Sequence, residues 1–175
     1  MKNLIKTMVF MAVAAFSTEI YAQPDFSAEV KSKMQSLAFM VGEWEGSGWA
    51  MTPNGKESTE VKESISYALG GTILQVNGIG TKEDKVVHEA FGVITFNPFT
   101  KGYGMDAYVA KGMKTSATVE ILDEGKIKWY FKAGPNMTIR YQLTVEEGVW
   151  KETGERSMDG ENWQQFFEMT LEKKS

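Results

Sequence analysis

His88 is one of two side chains in this sequence whose type and position suit acid–base chemistry, and it is the only histidine. Imidazole is a common general base and a common metal ligand. A metal site, however, needs several converging ligands. Glu89 is the one other candidate beside His88, and alternation along a strand turns it to the opposite face. We therefore predict no metal site, and we expect hydrogen bonds or water to satisfy His88.

Glu63 is the second such side chain. It shares one face of a predicted strand with Val61, Ile65, Tyr67 and Leu69. If that face is the interior of the domain, an unpaired carboxylate there needs a partner, or its pKa rises. Such a group could orient a ligand or serve as a base. In the alternative, the strand begins later and Glu63 lies at the solvated rim.

Other catalytic patterns are missing from the sequence. It contains no Gly-x-Ser-x-Gly nucleophile motif and no glycine-rich phosphate loop before a helix. It also has no cysteine, which excludes thiol nucleophiles, disulfides and thiolate metal sites. We therefore assign no catalytic residues from these motifs.

Strands must position most of the side chains, because apolar and polar residues alternate along four long stretches: 61–69, 126–132, 137–146 and 163–172. One apolar face and one polar face are typical of an antiparallel sheet. Turn signals such as Pro53-Asn54-Gly55 and Asp159-Gly160 divide residues 43–173 into about ten strands. We predict an all-β, up-and-down antiparallel barrel, because closure removes exposed edges.

The N-terminal region has a different pattern. Lys2 and Lys6 precede an apolar run, Met8–Phe16, and Ala22 suits cleavage, so residues 1–22 resemble a signal peptide. Residues 23–41 then form a linker and a short helix from Ser27 to Val41, and residues 42–173 form the barrel. We expect a periplasmic or secreted protein with no membrane span.

The charge of the chain bears on its partners. The formal net charge is −4, and removal of Lys2, Lys6 and Glu19 with the signal peptide leaves −5. An acidic chain without a basic run argues against nucleic acid as a partner.

Three segments carry a resemblance to a known family. They are Leu37–Gly48, which contains Gly42-Glu43-Trp44-Glu45-Gly46-Ser47-Gly48, then Thr95–Tyr103, and then Ser157–Trp163. Together they resemble the calycin superfamily, and more narrowly the exported bacterial lipocalin-like domains of unknown function, near nitrobindin and the fatty-acid-binding proteins. The resemblance implies a ten-stranded barrel.

Two features of those relatives are not reproduced. Nitrobindin suggests haem held by a histidine late in the chain, but no histidine follows His88, so we predict no cofactor. Fatty-acid-binding proteins hold a carboxylate with a late Arg-x-Tyr pair. Here Arg140 and Tyr141 are adjacent and must face opposite sides of a strand.

We therefore predict that the barrel binds a small hydrophobic or amphipathic molecule in its interior, where apolar walls carry a few hydrogen-bonding groups. The predicted ligand-binding residues are Glu63, Tyr67, Gln75, Met105, Trp129, Phe131, Ile139, Tyr141, Gln165 and Phe167. Two alternatives remain: an isomerase or cyclase with Glu63 or His88 as base, and a filled barrel with a structural or interaction role.

Overall fold

The computed structural model describes residues 24–174, so the predicted signal peptide lies outside the described part of the chain. Helix α1 (Ser27–Met34) continues into a 3-10 segment (Gln35–Met40), and ten strands follow. The strands are β1 (Gly42–Thr52), β2 (Gly55–Ala68), β3 (Ile73–Lys82), β4 (Lys85–Asn97), β5 (Gly102–Val109), β6 (Lys114–Asp123), β7 (Lys126–Lys132), β8 (Thr138–Glu146), β9 (Val149–Ser157) and β10 (Gln164–Lys173). No helix in this part of the chain is long and apolar enough to span a membrane.

Every strand pairs antiparallel with its neighbours in the chain, and β1 pairs with β10 to close the barrel. The predicted up-and-down barrel of about ten strands is therefore confirmed. Because the sheet closes, every strand has a hydrogen-bonded neighbour on both sides. Tight hairpins connect the strands, and glycines such as Gly125 and Gly148 adopt the positive φ that these turns require.

One end of the barrel is closed by α1 and the 3-10 segment. At this end Tyr67 and Tyr103 reach the helix and donate hydrogen bonds to the carbonyl oxygens of Met34 (3.1 Å) and Lys33 (2.8 Å). Trp44 Nε1 donates to the carbonyl oxygen of Met40 at 2.8 Å. The side chains of Met34, Leu37 and Met40 complete a core with inward residues of the strands. This half of the barrel is therefore filled.

The predicted N-terminal helix is present, with two local differences. Its second half winds as a 3-10 helix. At its start, the Asp25 carboxylate accepts a hydrogen bond from the backbone N–H of Ser27 at 2.8 Å, so Asp25 satisfies a donor at the helix N-terminus. This bond is the main reason that the pKa of Asp25 is lowered.

The opposite end of the barrel is formed by the hairpins β1–β2, β3–β4, β5–β6, β7–β8 and β9–β10. Inward positions nearest to this end, His88 and Arg156, are exposed. A little deeper, Ala107, Ala117 and Ile139 are half-buried. The inner faces therefore remain accessible in this half, which we call the open half.

Candidate ligand-binding site

Glu63 lies on the inner face of β2, between Trp44 of β1 and Gly78 of β3 in the register. Any Cβ at position 78 would lie 2.5 Å from Glu63 Oε1, so the carboxylate occupies space that only glycine leaves free. The Oε2 atom is buried and has no hydrogen-bond partner. The alternative that Glu63 lies at the solvated rim is therefore wrong.

A second carboxylate, Glu152 of β9, also faces the interior and is only 6% exposed. Glu152 Oε1 accepts a hydrogen bond from Trp129 Nε1 at 2.9 Å, and Oε2 accepts one from Trp150 Nε1 at 3.2 Å. Two neutral donors thus hold this carboxylate in place. Sequence reasoning missed Glu152, although its spacing of two from Trp150 places both residues on one strand face.

Burial changes the acidity of both groups. It raises the pKa of Glu63 from 4.5 to about 8, and the nearby charge of Glu152 adds to this rise. Burial also raises the pKa of Glu152 to about 7, although the hydrogen bonds from Trp129 and Trp150 oppose the increase. Near neutral pH the two groups therefore hold protons that exposed glutamates would have lost.

An aromatic cluster lies beside the carboxylates. The rings of Trp129 and Tyr141 are stacked, with centroids 3.9 Å apart and an interplanar angle of 5°. Phe131 continues the stack at 6.1 Å from Trp129, and Phe167 packs edge-on against Tyr141 at 5.7 Å. A Cβ at position 154 would lie 2.7 Å from the Tyr141 ring, so Gly154 makes room for it. Burial, followed by the charge of Glu152, raises the pKa of Tyr141.

The structure brings most of the predicted residues to the interior. Trp129, Phe131, Ile139, Tyr141 and Phe167 line the late strands, and Met105 faces them from β5. All six are half-buried. Tyr67 is also inward, but it belongs to the closed end, where its hydroxyl binds Met34.

The inward placement expected for Gln75 and Gln165 is wrong. Leu74 and Val76 are the inward residues of β3, so Gln75 between them faces outward. In β10 a bulge between Gln165 and Phe167 shifts the alternation. Gln165 consequently lies outside the barrel and donates a hydrogen bond to Glu168 at 2.9 Å.

That bulge adds one residue that sequence reasoning missed. Phe166 is the extra residue, and its ring packs edge-on against Tyr141 at 5.7 Å. Strict alternation would have turned it away from Tyr141.

His88 lies at the mouth of the open half, where Gly80 of β3 pairs with it. Desolvation and the nearby charge of Lys111 lower its pKa, which favours the neutral imidazole. Residues 24–174 contain no group of three or more potential metal ligands. Of the two candidate bases, Glu63 is therefore the one whose surroundings in the interior are unusual.

The wall of the barrel is open between β6 and β7. Their pairing stops at Thr118 and Tyr130, although both strands continue toward the mouth. A cleft of about 480 Å³ lies there, bordered by Ala117 and Phe131 from the inner face and by Lys132 from the outer face. Of the aromatic cluster, Phe131 borders this cleft.

Comparison with known proteins yields a fold but no family. No protein-family model and no curated protein match the chain. The structure is similar to that of Rv2717c from M. tuberculosis, with a TM-score of 0.61 and 12% identity over 81% of this chain and 97% of that one. It is also similar to the S-type phycobiliprotein lyase CPES from Guillardia theta, with a TM-score of 0.57 and 7% identity over 87% of this chain and 99% of that one. The chain therefore has the fold of the ten-stranded, lipocalin-like β-barrels.

Proposed function

We propose that this protein binds a small hydrophobic or amphipathic molecule in the open half of its barrel. The observation that carries the proposal is the contrast between the two halves. Core residues at the closed end, such as Leu37, Leu74 and Trp44, are at most 1% exposed. The aromatic cluster remains half-buried on an inner face. Apolar walls with a few placed polar groups are typical of ligand sites.

Two further observations support the proposal. The unpaired ends of β6 and β7 border a cleft that reaches Phe131 of the aromatic cluster. The fold that the chain shares with a phycobiliprotein lyase is consistent with a binding barrel.

Binding can be tested with hydrophobic dyes and fatty alcohols, followed by quenching of tryptophan fluorescence. We expect micromolar affinity, roughly 8 kcal/mol. Ala107→Phe adds bulk to an inward, half-buried position of β5 and should weaken binding. Thr95→Phe is the matched control, because Thr95 is exposed on the outer face of β4. If no probe binds, or if both variants bind as well as the wild type, the open half is not a ligand site.

A second candidate function is an enzyme of the isomerase or cyclase type with Glu63 as base. The raised pKa of Glu63, about 8, favours it, because a base titrating near the working pH transfers protons efficiently. Mass spectrometry of a bound ligand after incubation separates the candidates. A binding protein returns the ligand unchanged, whereas an enzyme converts it and loses turnover in Glu63→Gln.

We also propose export to the periplasm or the exterior of the cell, from the signal-peptide pattern of residues 1–22. N-terminal sequencing of the protein from its own host should find a start near Gln23. A start at Met1 would contradict export with cleavage.

A further inference from the structure

The two inner carboxylates have no positively charged partner among residues 24–174. Each ion pair in this part of the chain uses another acid, as in Lys62–Glu45 and Arg140–Glu155. Glu152 is held only by the neutral indole N–H groups of Trp129 and Trp150. One oxygen of Glu63 is buried and has no hydrogen-bond partner. Both acids thus face the barrel interior without a counterion.

The cationic groups nearest to the interior are occupied elsewhere or lie at its ends. Arg156, at the mouth, donates two hydrogen bonds to Gln164 Oε1 at 3.1 and 2.9 Å. Lys173, at the closed rim, lies over the Trp44 ring at 5.2 Å. The other titratable groups on or near the inner faces are Tyr67, Tyr103, Tyr141, His88 and the surface pair Glu57–Lys82. None of these donates a hydrogen bond to Glu63 or to Glu152.

On the basis of the binding function proposed above, we propose that the ligand is an organic cation: an apolar molecule with a protonated amine that pairs with Glu63 and Glu152. The amine supplies the charge that the protein itself does not place there. Above about pH 8, where both glutamates are ionised, a ligand carboxylate would instead meet two charges of its own sign.

The proposal can be tested with three probes that share one apolar skeleton: 4-phenylbutylamine, 4-phenylbutanol and 4-phenylbutyrate. Isothermal titration calorimetry at pH 8.5 measures each affinity for the wild-type protein. We expect the amine to bind at least about tenfold more tightly than the alcohol, since a charge-assisted hydrogen bond is worth that much. The butyrate should bind most weakly. At pH 6 the advantage of the amine should shrink, because both glutamates are then protonated.

Glutamine variants show whether the two glutamates cause the preference for the amine. Glu63→Gln and Glu152→Gln should each reduce the preference for the amine over the alcohol by roughly tenfold. Glu60→Gln is the control, since Glu60 is exposed on the outer face of the same strand as Glu63. Titration of the wild type at pH 7.5 in two buffers of different ionisation enthalpy should also show proton release with the amine alone.

The outcomes distinguish the two proposals. If the alcohol or the butyrate binds as tightly as the amine, the cation proposal is overturned and the binding barrel stands. If none of the three probes and no hydrophobic dye binds, the proposed function itself fails. If the amine binds best but keeps its advantage in both glutamine variants, it is bound elsewhere, and the assignment to Glu63 and Glu152 is wrong.

Discussion

Replacement of Glu63 by glutamine should stabilise this protein at alkaline pH. Burial raises the pKa of Glu63 from 4.5 to about 8 in the folded state. Between those two values the folded protein retains a proton that the unfolded chain has lost. The free energy of unfolding must therefore fall as the pH rises through this window, and it levels off above the folded-state pKa. The free-energy cost of ionising the buried Glu63 is present in full above about pH 8 and absent below about pH 4.5.

The size of this loss of stability follows from the pKa shift of Glu63. One pKa unit corresponds to about 1.4 kcal/mol, so the rise of Glu63 implies a loss of about 5 kcal/mol by pH 9. Glutamine removes the charge but leaves an amide with incomplete hydrogen bonding, which costs about 1–3 kcal/mol. Glu63→Gln should therefore be about 2–4 kcal/mol more stable than the wild type at pH 9, and close to it or slightly less stable at pH 5.

Glu152 makes a second contribution to the decrease of stability with pH. Its pKa, raised to about 7, makes stability fall by about 1.4 kcal/mol per pH unit between pH 5 and 7. The wild type should show about twice that slope in this range, and Glu63→Gln should retain only the contribution of Glu152. His88 acts in the opposite sense: because its pKa is lowered in the folded state, stability rises with pH below about 6.5 and levels off above it. The His88→Gln background removes this term.

Urea unfolding at four pH values from 5.5 to 8.5 measures these slopes. Acids with lowered pKa values, such as Glu45 and Asp159, titrate below this window and do not disturb it. Glu60→Gln, on the outer face of β2, is the control and should follow the wild-type curve. A wild-type stability that stays flat from pH 5.5 to 8.5, or a Glu63→Gln protein less stable at pH 8.5, would refute the assignment of a buried, unpaired carboxylate.

Three further substitutions test the packing that positions the site. Gly78→Ala places a Cβ 2.5 Å from Glu63 Oε1, so it should lower the free energy of unfolding by about 1–3 kcal/mol, measured with urea. This cost should largely vanish in a Glu63→Ala background. An equal cost there would show that the clash is not with Glu63. Tyr67→Phe removes the bond to Met34 and should cost about 1 kcal/mol, whereas an unchanged midpoint would mean that the helix is held without it. Trp44→Ala empties a site that is 1% exposed and should cost about 3–5 kcal/mol; a melting temperature within a degree or two of the wild type would contradict its role as a plug.

The fold could be predicted from the sequence because the patterns that indicate it are local. Alternation of period two and regularly spaced turns indicated about ten hairpin-connected strands, and consecutive hairpins favour closure. The prediction that Gln75 faces inward was wrong, although its apolar neighbours Leu74 and Val76 indicate the inward face of β3.

The candidate site was less accessible to sequence reasoning, for two physical reasons. The bulge in β10 inserts one residue, and nothing local to Gln165 and Phe166 identifies the strand position at which alternation breaks. Glu152 lies in a polar stretch of β9 in which Trp150 is the only large apolar inward residue. A charged residue is expected outside, and only the indole groups from β7 and β9, brought together by folding, make its inward position tolerable.

The two halves of the barrel depend on each other through Trp150. Its ring packs edge-on against Trp44 in the closed half, with centroids 5.5 Å apart, and its Nε1 donates to Glu152 at the boundary with the open half. Buried acids without counterions destabilise a fold, so the open half needs a rigid support. The filled core and the helix beneath it provide that support. A protein selected for stability alone has no reason to keep two such acids on an inner face, and this is the strongest physical argument for the proposed ligand site.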